Sequence, residues 1–290
     1  MRTFSEIDFA SGRGDHVANE DLVGWAGPFA WVMDGASSIG AKPWIDQVSD
    51  ARWLVAQYDE AMRSLANPGI SCLDLMRSAI TEVSSRVNVA SDENLMPNLA
   101  LGILKLEEEG VSYFGLGDTT ICFMEADGSV ITPLDGAESN YDGTASQEIQ
   151  DLLVAGWSIA NATTFVYERM LEDRHRYMNQ PGGYWTVSTV PEAVEHGAFG
   201  FLEVDVSEVF LMTDGFRRFV DTYHLGATMC DSLHDWVASG LKRALAQIRE
   251  VEDGDPEMRK FPRISRRDDA TCARLSAIDA IHSSAEHESD

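Results

Sequence analysis

The sequence predicts an α+β layered domain whose sheets are antiparallel. Three observations carry this. Apolar runs of strand length come in groups instead of alternating one by one with helices, two helical segments follow one another directly, and the runs across residues 99–134 are separated by short turn compositions.

In chain order, residues 29–33 (Phe-Ala-Trp-Val-Met) form a continuous apolar run of strand length. Ala51, Leu54, Tyr58, Met62 and Leu65 then share one helix face, which stops before Asn67-Pro68-Gly69. Leu73, Met76, Ile80, Val83 and Val87 make a second stripe, with Ser71 as N-cap and Asp74 completing a capping-box-like pair. Residues 99–105, 111–116 and 121–124 read as strands. Glu107-Glu108-Glu109-Gly110 and Ala126-Asp127-Gly128 are turn compositions, so the stretch to residue 134 reads as a hairpin-linked meander. Residues 137–183 carry the weakest pattern: a helical candidate at 147–153, an aromatic and charged stretch at 165–177, and a Gly182-Gly183 break. They are expected to form a flap or insertion beside the main body. Residues 185–189 and 209–212 are expected strands, Leu233, Val237, Leu241, Leu245 and Ile248 form a third helical stripe, and residues 271–275 make a last strand. One domain over residues 1–278 is expected, with a polar, frayed tail at 279–290.

Of the 290 residues, 44% are hydrophobic and 24% charged, enough for a sizeable core. No apolar run approaches the ~20 residues of a membrane helix, and the first residues show no secretory pattern. A soluble protein of the cytoplasm is therefore expected. Lys and Arg number 22 against 48 Asp and Glu, a net charge of −26 that repels nucleic-acid phosphates and anionic membranes. Cys72, Cys122, Cys230 and Cys272 are scattered without a CxxC pair, which reads as reduced core thiols and not as zinc ligands or disulfides.

Four acids sit where apolar strands end. Asp34-Gly35 follows residues 29–33, Asp118 follows 111–117, Asp214-Gly215 follows 209–213, and Asp268 precedes 270–275. Asp-Gly is also the commonest hairpin turn, and Asp127-Gly128, lying between two strand-like runs, is read that way. After Asp34 and Asp214 come small residues or a helix-like segment, not a returning strand. Four carboxylates at strand ends repel one another unless they are protonated or bridged by hard cations. Magnesium or manganese would polarise a phosphoryl oxygen and make hydroxide available from a bridging water. A second anomaly is the run Arg259, Lys260, Arg263, Arg266 and Arg267 directly before Asp268, which is either a solvated basic loop or a recruiter of anionic substrate. No GxxxxGK loop or GxSxG elbow is present, and Gly115-Leu116-Gly117 lacks the third glycine of a dinucleotide fingerprint.

Taken together and in order, Asn19-Glu20-Asp21, Val32-Met33-Asp34-Gly35, Gly115-Leu116-Gly117-Asp118-Thr119, Leu211-Met212-Thr213-Asp214-Gly215 and Arg267-Asp268-Asp269-Ala270-Thr271 resemble the motifs of the metal-dependent (type 2C, PPM) protein serine/threonine phosphatases. The resemblance spans about residues 7–275 and is closest to the bacterial members. It implies a four-layer α-β-β-α sandwich: two central antiparallel sheets flanked by helix pairs, with metals in a cleft at one edge. It further implies that Asp34 bridges two Mn2+ or Mg2+ ions, that the Gly35 carbonyl binds one, and that Asp214 and Asp268 complete the other. Glu20 and Asp21 would complete the centre directly or through water, and Asp118 would hold a third ion. The implied activity is hydrolysis of phosphoserine and phosphothreonine in proteins by a metal-bridging hydroxide, opposing a Ser/Thr kinase. The chain departs from the family pattern at four places, one of them residues 137–183, which do not match the usual flap. His16 stands where the family carries a phosphate-gripping Arg, with Arg13 as the other candidate; Ala36 replaces the His of animal members; and Asn98-Leu99-Ala100 replaces a Thr-rich strand. Two further functions stay open: a catalytically weak phosphatase-like binding module, and a phosphatase of small phosphate esters.

Overall fold

The structure is a computed structural model that describes residues 2–37, 48–87, 96–125, 127–136, 141–206 and 208–279. The strands are β1 (Arg2–Gly12), β2 (Leu22–Ala26), β3 (Phe29–Ala36), β4 (Asn98–Leu106), β5 (Val111–Leu116), β6 (Thr120–Met124), β7 (Val130–Leu134), β8 (Ala198–Leu202), β9 (Glu208–Met212) and β10 (Ala270–Asp279). The helices are α1 (Asp50–Leu65), α2 (Cys72–Arg86), α3 (Tyr141–Val154), α4 (Ile159–Tyr177), α5 (Asp214–Asp221), α6 (Met229–Ser239) and α7 (Leu241–Gly254). Two five-stranded sheets result, ordered β1-β10-β9-β6-β7 and β2-β3-β4-β5-β8. Their strand pairs are antiparallel throughout.

Apolar side chains fill three successive layers. Val32, Leu104 and Val111 of one sheet meet Ile121, Phe123, Val209, Leu211 and Leu275 of the other. Trp31, Met33, Leu101 and Ile103 face away from that seam and pack under Leu54, Tyr58, Met76 and Ile80 of α1 and α2. Phe210, Met212 and Cys272 pack on the far side under Phe216, Trp236, Leu241 and Ile248 of α5, α6 and α7. A strand covered on both faces is apolar along most of its length, and β4 is accordingly buried at every position, with its polar residues Asn98 and Lys105 near its ends. This is the expected four-layer α-β-β-α sandwich.

Ser71 caps α2 as expected: its Oγ accepts the Asp74 N–H at 3.0 Å and donates to Asp74 Oδ2 at 2.8 Å. Asp127-Gly128 makes the expected hairpin between β6 and β7. Elsewhere the structure corrects the sequence reading. The meander is not one sheet: β5 pairs with β4 and β8, whereas β6 pairs with β7 and β9, so residues 117–119 cross from one sheet to the other. The stripe from Leu233 to Ile248 is two helices broken at Gly240, whose φ of 88° and ψ of 146° are open to glycine. Asp8 of β1 then caps α7 by accepting the Leu241 N–H at 2.7 Å. Residues 185–189 are not a strand; Val187 makes only an isolated bridge to Leu99. The weakly patterned middle is a helical hairpin, α3 against α4, held by Ala145, Ile149, Ala162 and Val166. Strand β10 continues to Asp279, and the rest of the tail, 280–290, lies outside the described residues. Cys72, Cys122 and Cys272 are buried free thiols, whereas Cys230 is exposed and no core residue. Among the described residues no helix is long and apolar enough to cross a membrane.

Candidate metal centre

The strand-end acids gather at one edge of the sandwich. Asp34 belongs to β3 itself, paired opposite Ala100, with Gly35 opposite Leu99. Asp118 sits on the crossing between the sheets, Asp214 opens α5 just after β9, and Asp268 precedes β10. Gly215 shows how closely these segments pass: a Cβ there would stand 1.9 Å from the Asp269 carbonyl oxygen, so only glycine fits. Glu20 and Asp21, at the entrance to β2, are both buried.

Burial, and then the charges of Asp21, Asp214, Asp118 and Asp268, push the Asp34 carboxyl well above its ordinary value. Burial likewise pushes Asp21 up to about 8, against its bond from Thr213 and with help from Asp269 and Asp268. These acids therefore feel one another's charge in a poorly solvated space, the situation that calls for a proton or a cation. Burial also opposes ionisation of Glu20, but His16, Ser49 and Ser37 outweigh it and hold that carboxyl below its ordinary value. Ser49 Oγ donates to Glu20 Oε1 at 2.5 Å and Ser37 Oγ at 2.7 Å.

The donor set fits a hard divalent cation. It is all oxygen, and one of its buried oxygens, Asp21 Oδ1, accepts no hydrogen bond among the described residues. Among the described residues, no three of these groups stand as a closed metal cage. Part of the negative charge is met by Arg218, whose Nη2 donates to Asp268 Oδ2 at 2.5 Å.

Of the two candidates for phosphate, His16 Nδ1 stands 3.5 Å from Glu20 Oε2. That contact, opposed by burial and reinforced by the charges of Glu20, Asp268 and Asp269, raises His16 to about 9. Arg13 is exposed and donates from Nη1 to the Val17 carbonyl at 3.0 Å, which stiffens the loop that carries both.

Five residues at the site were not singled out for a role by the sequence. Asp269 accepts the Gly14 N–H on Oδ1 and the Glu20 N–H on Oδ2, each at 2.6 Å, and so holds the 14–20 loop against β10. Thr213 donates to Asp21 Oδ2 at 2.8 Å while accepting the Thr271 N–H at 3.0 Å. Ser49, the N-cap of α1, steadies Glu20, and Arg218 meets Asp268. Arg174 of α4 donates to the carbonyls of Ser37 at 2.6 Å and Met96 at 2.7 Å, tying the helical hairpin to the strand end beyond Asp34. The signal for Asp269 and Thr213 was adjacency to a motif acid; Ser49, Arg174 and Arg218 left none.

No protein-family model and no curated protein matches this chain. Solved structures do. The serine/threonine phosphatase PstP/Ppp of Mycobacterium tuberculosis superposes with a TM-score of 0.54 at 13% identity, covering 95% of this chain and 98% of that one. Stp1, a serine/threonine phosphatase from Staphylococcus aureus, gives 0.52 at 13% identity over 97% of this chain and 96% of its own. The PstP catalytic domain in complex with two manganese ions gives 0.52 at 13% identity over 96% and 100%. These superpositions span nearly the whole chain and agree with the two antiparallel five-stranded sheets between helices: the chain has the fold of the bacterial serine/threonine phosphatases of the PPM type.

Proposed function

We propose that this chain is a manganese- or magnesium-dependent protein serine/threonine phosphatase. The observation that carries the reading is the convergence of Asp21, Asp34, Asp118, Asp214 and Asp268, from distant parts of the sequence, into one electrostatic cluster. Asp34, the Gly35 carbonyl, Asp214 and Asp268 would hold two ions, with Glu20 and Asp21 completing the centre and Asp118 holding a third. Such ions supply Lewis-acid polarisation of a phosphoryl oxygen and lower the pKa of a coordinated water. The PstP catalytic domain, which shares this fold, binds two manganese ions, and this supports a two-ion centre here.

The chain's own groups do the remaining work. His16, raised to about 9, is protonated at neutral pH and can donate to a phosphate oxygen, and exposed Arg13 on the same loop is the second candidate cation. Asp269 fixes the loop that carries His16 and Glu20, and Thr213 fixes the rotamer of Asp21. The substrate on this reading is a phosphoprotein, the opposing activity is a Ser/Thr kinase, and the place of action is the cytoplasm.

The test is hydrolysis of a phosphothreonine peptide and of p-nitrophenyl phosphate with Mn2+, with Mg2+ and with EDTA. Turnover is expected with metal, absent with EDTA, and abolished in Asp34→Asn and Asp214→Asn that remain folded by circular dichroism. Full activity in both variants would sink the reading.

A further inference from the structure

A cavity of about 350 Å³ opens beside the acid cluster, with Asp118 and Asp214 in its wall. Gln147 of α3, Arg217 of α5, and Lys260 and Arg263 from the loop before β10 form other parts of the lining. This volume lies at the low end of the roughly 300–1,000 Å³ of ligand pockets, so it suits one side chain better than a large molecule. The helical hairpin and the basic loop are joined here, since Ile264 packs on the α3–α4 contact.

The basic run before Asp268 divides sharply by what its members touch. Arg263 is buried and bound to Asp255 at 3.0 Å. Arg266 and Arg267 both pair with Asp253, and Arg259 pairs with Glu257 at 2.7 Å. Arg217 is likewise committed, to Asp135 and Asp221, each at 2.6 Å. Lys260 differs: it is exposed, its Nζ lies 4.9 Å from the centroid of the Phe261 ring, and among the described residues it pairs with no carboxylate. In a chain of net charge −26, an uncompensated ammonium at a cavity contiguous with the candidate centre calls for an anion from outside.

We propose that this cavity is a subsite for an anionic side chain flanking the phosphorylated residue of the substrate, and that Lys260 selects it. The inference rests on the phosphatase reading of the adjoining acids. A carboxylate and a second phosphate share the chemistry that Lys260 recognises. The helical hairpin, which supplies Gln147, then shapes substrate preference instead of merely covering the edge of the sandwich.

The experiment compares phosphothreonine peptides carrying Glu, phosphoserine, Gln or Lys at the flanking positions, on the wild type, Lys260→Gln and Lys260→Glu. Two quantities are read: kcat/KM with Mn2+, and binding of the fluorescein-labelled peptides by anisotropy. The wild type is expected to favour the Glu and phosphoserine peptides over Gln by roughly three- to fivefold, the size of one exposed ion pair, less so as salt rises. Lys260→Gln should flatten the ranking and Lys260→Glu should turn it toward the Lys peptide. The larger of the Glu and phosphoserine gains identifies which anion the subsite serves. An identical ranking in the wild type and Lys260→Glu overturns the proposal. If no substrate is turned over by the wild type, the phosphatase reading fails, while the anisotropy ranking still decides the subsite.

Discussion

The strongest quantitative expectation concerns the ion pair that supports the basic loop. Asp255 Oδ1 accepts the backbone N–H groups of Arg259 and Lys260 at 2.8 and 3.2 Å, and Oδ2 accepts that of Phe261 at 3.0 Å. Arg263, 1% exposed, donates to Asp255 Oδ2 and to the Asp255 carbonyl, and also to the carbonyls of Phe261 and Arg266. Asp255→Ala leaves that guanidinium buried without its counter-charge, which should cost about 3–5 kcal/mol of stability. Arg263→Met leaves Asp255 with its three backbone donors and should cost less, about 1.5–3 kcal/mol. In the double variant no charge is stranded, so its cost should fall below the sum by about 1.5 kcal/mol or more. Burial opposes ionisation of Asp255, but the backbone donors and Arg263 outweigh it and hold the carboxyl below its ordinary value. A depressed folded-state pKa contributes stability that is fully present above the unfolded value of about 3.9 and is lost as pH falls through the folded one. The gap between wild type and Asp255→Ala should therefore be constant from pH 7 to about 5 and narrow below about 4. Guanidinium unfolding of the four proteins across this range is the assay. Additivity within about 0.5 kcal/mol, together with a gap unchanged at pH 3, would refute the reasoning.

Four other expectations are testable directly. In metal-free protein, the His16 ring should titrate in NMR near 9 and return toward about 6.5 in Glu20→Gln. Because its folded pKa is raised, the stabilisation from this pair is present below pH ~6.5 and should be lost as pH rises through about 9. Mn2+ at a hundred times its dissociation constant should raise the unfolding free energy by about 2.7 kcal/mol, and Thr213→Val, which frees Asp21 Oδ2, should weaken metal binding about 10- to 100-fold by calorimetry. Gly240→Ala, at φ 88°, should cost about 1–3 kcal/mol in denaturant unfolding, and no loss there would contradict the α6–α7 junction.

How much was legible follows from which interactions are local. Helices α1 and α2 were readable because their apolar stripes and the Ser71–Asp74 cap involve residues a turn or two apart. The break at Gly240 was hidden because Val237 and Leu241 continue the four-residue stride across it. Strand β8 escaped notice because it is an edge strand whose Phe199 and Phe201 stay exposed, leaving no buried alternation to detect. The same contrast runs through the site. Asp34, Asp118, Asp214 and Asp268 were visible as acids placed where apolar runs end. The role of Asp269 was not, because its partners Gly14 and Glu20 lie 255 and 249 residues away in sequence. The basic run also looked uniform in sequence, and only the fold separates paired Arg263 from Lys260, which pairs with no carboxylate among the described residues.

By itself, then, the amino-acid order determined the layered α+β class, the acids of the candidate centre and the acidic surface charge, since periodicity, strand ends and composition are one-dimensional properties. Tertiary structure alone decided that residues 117–119 cross between sheets and bring Asp118 to the cluster, that Asp269 and Thr213 hold the ligand candidates in place, and that a cavity with Lys260 adjoins them. Those facts depend on close approach between distant segments, which hydrogen-bond geometry and desolvation fix only once the two sheets have packed.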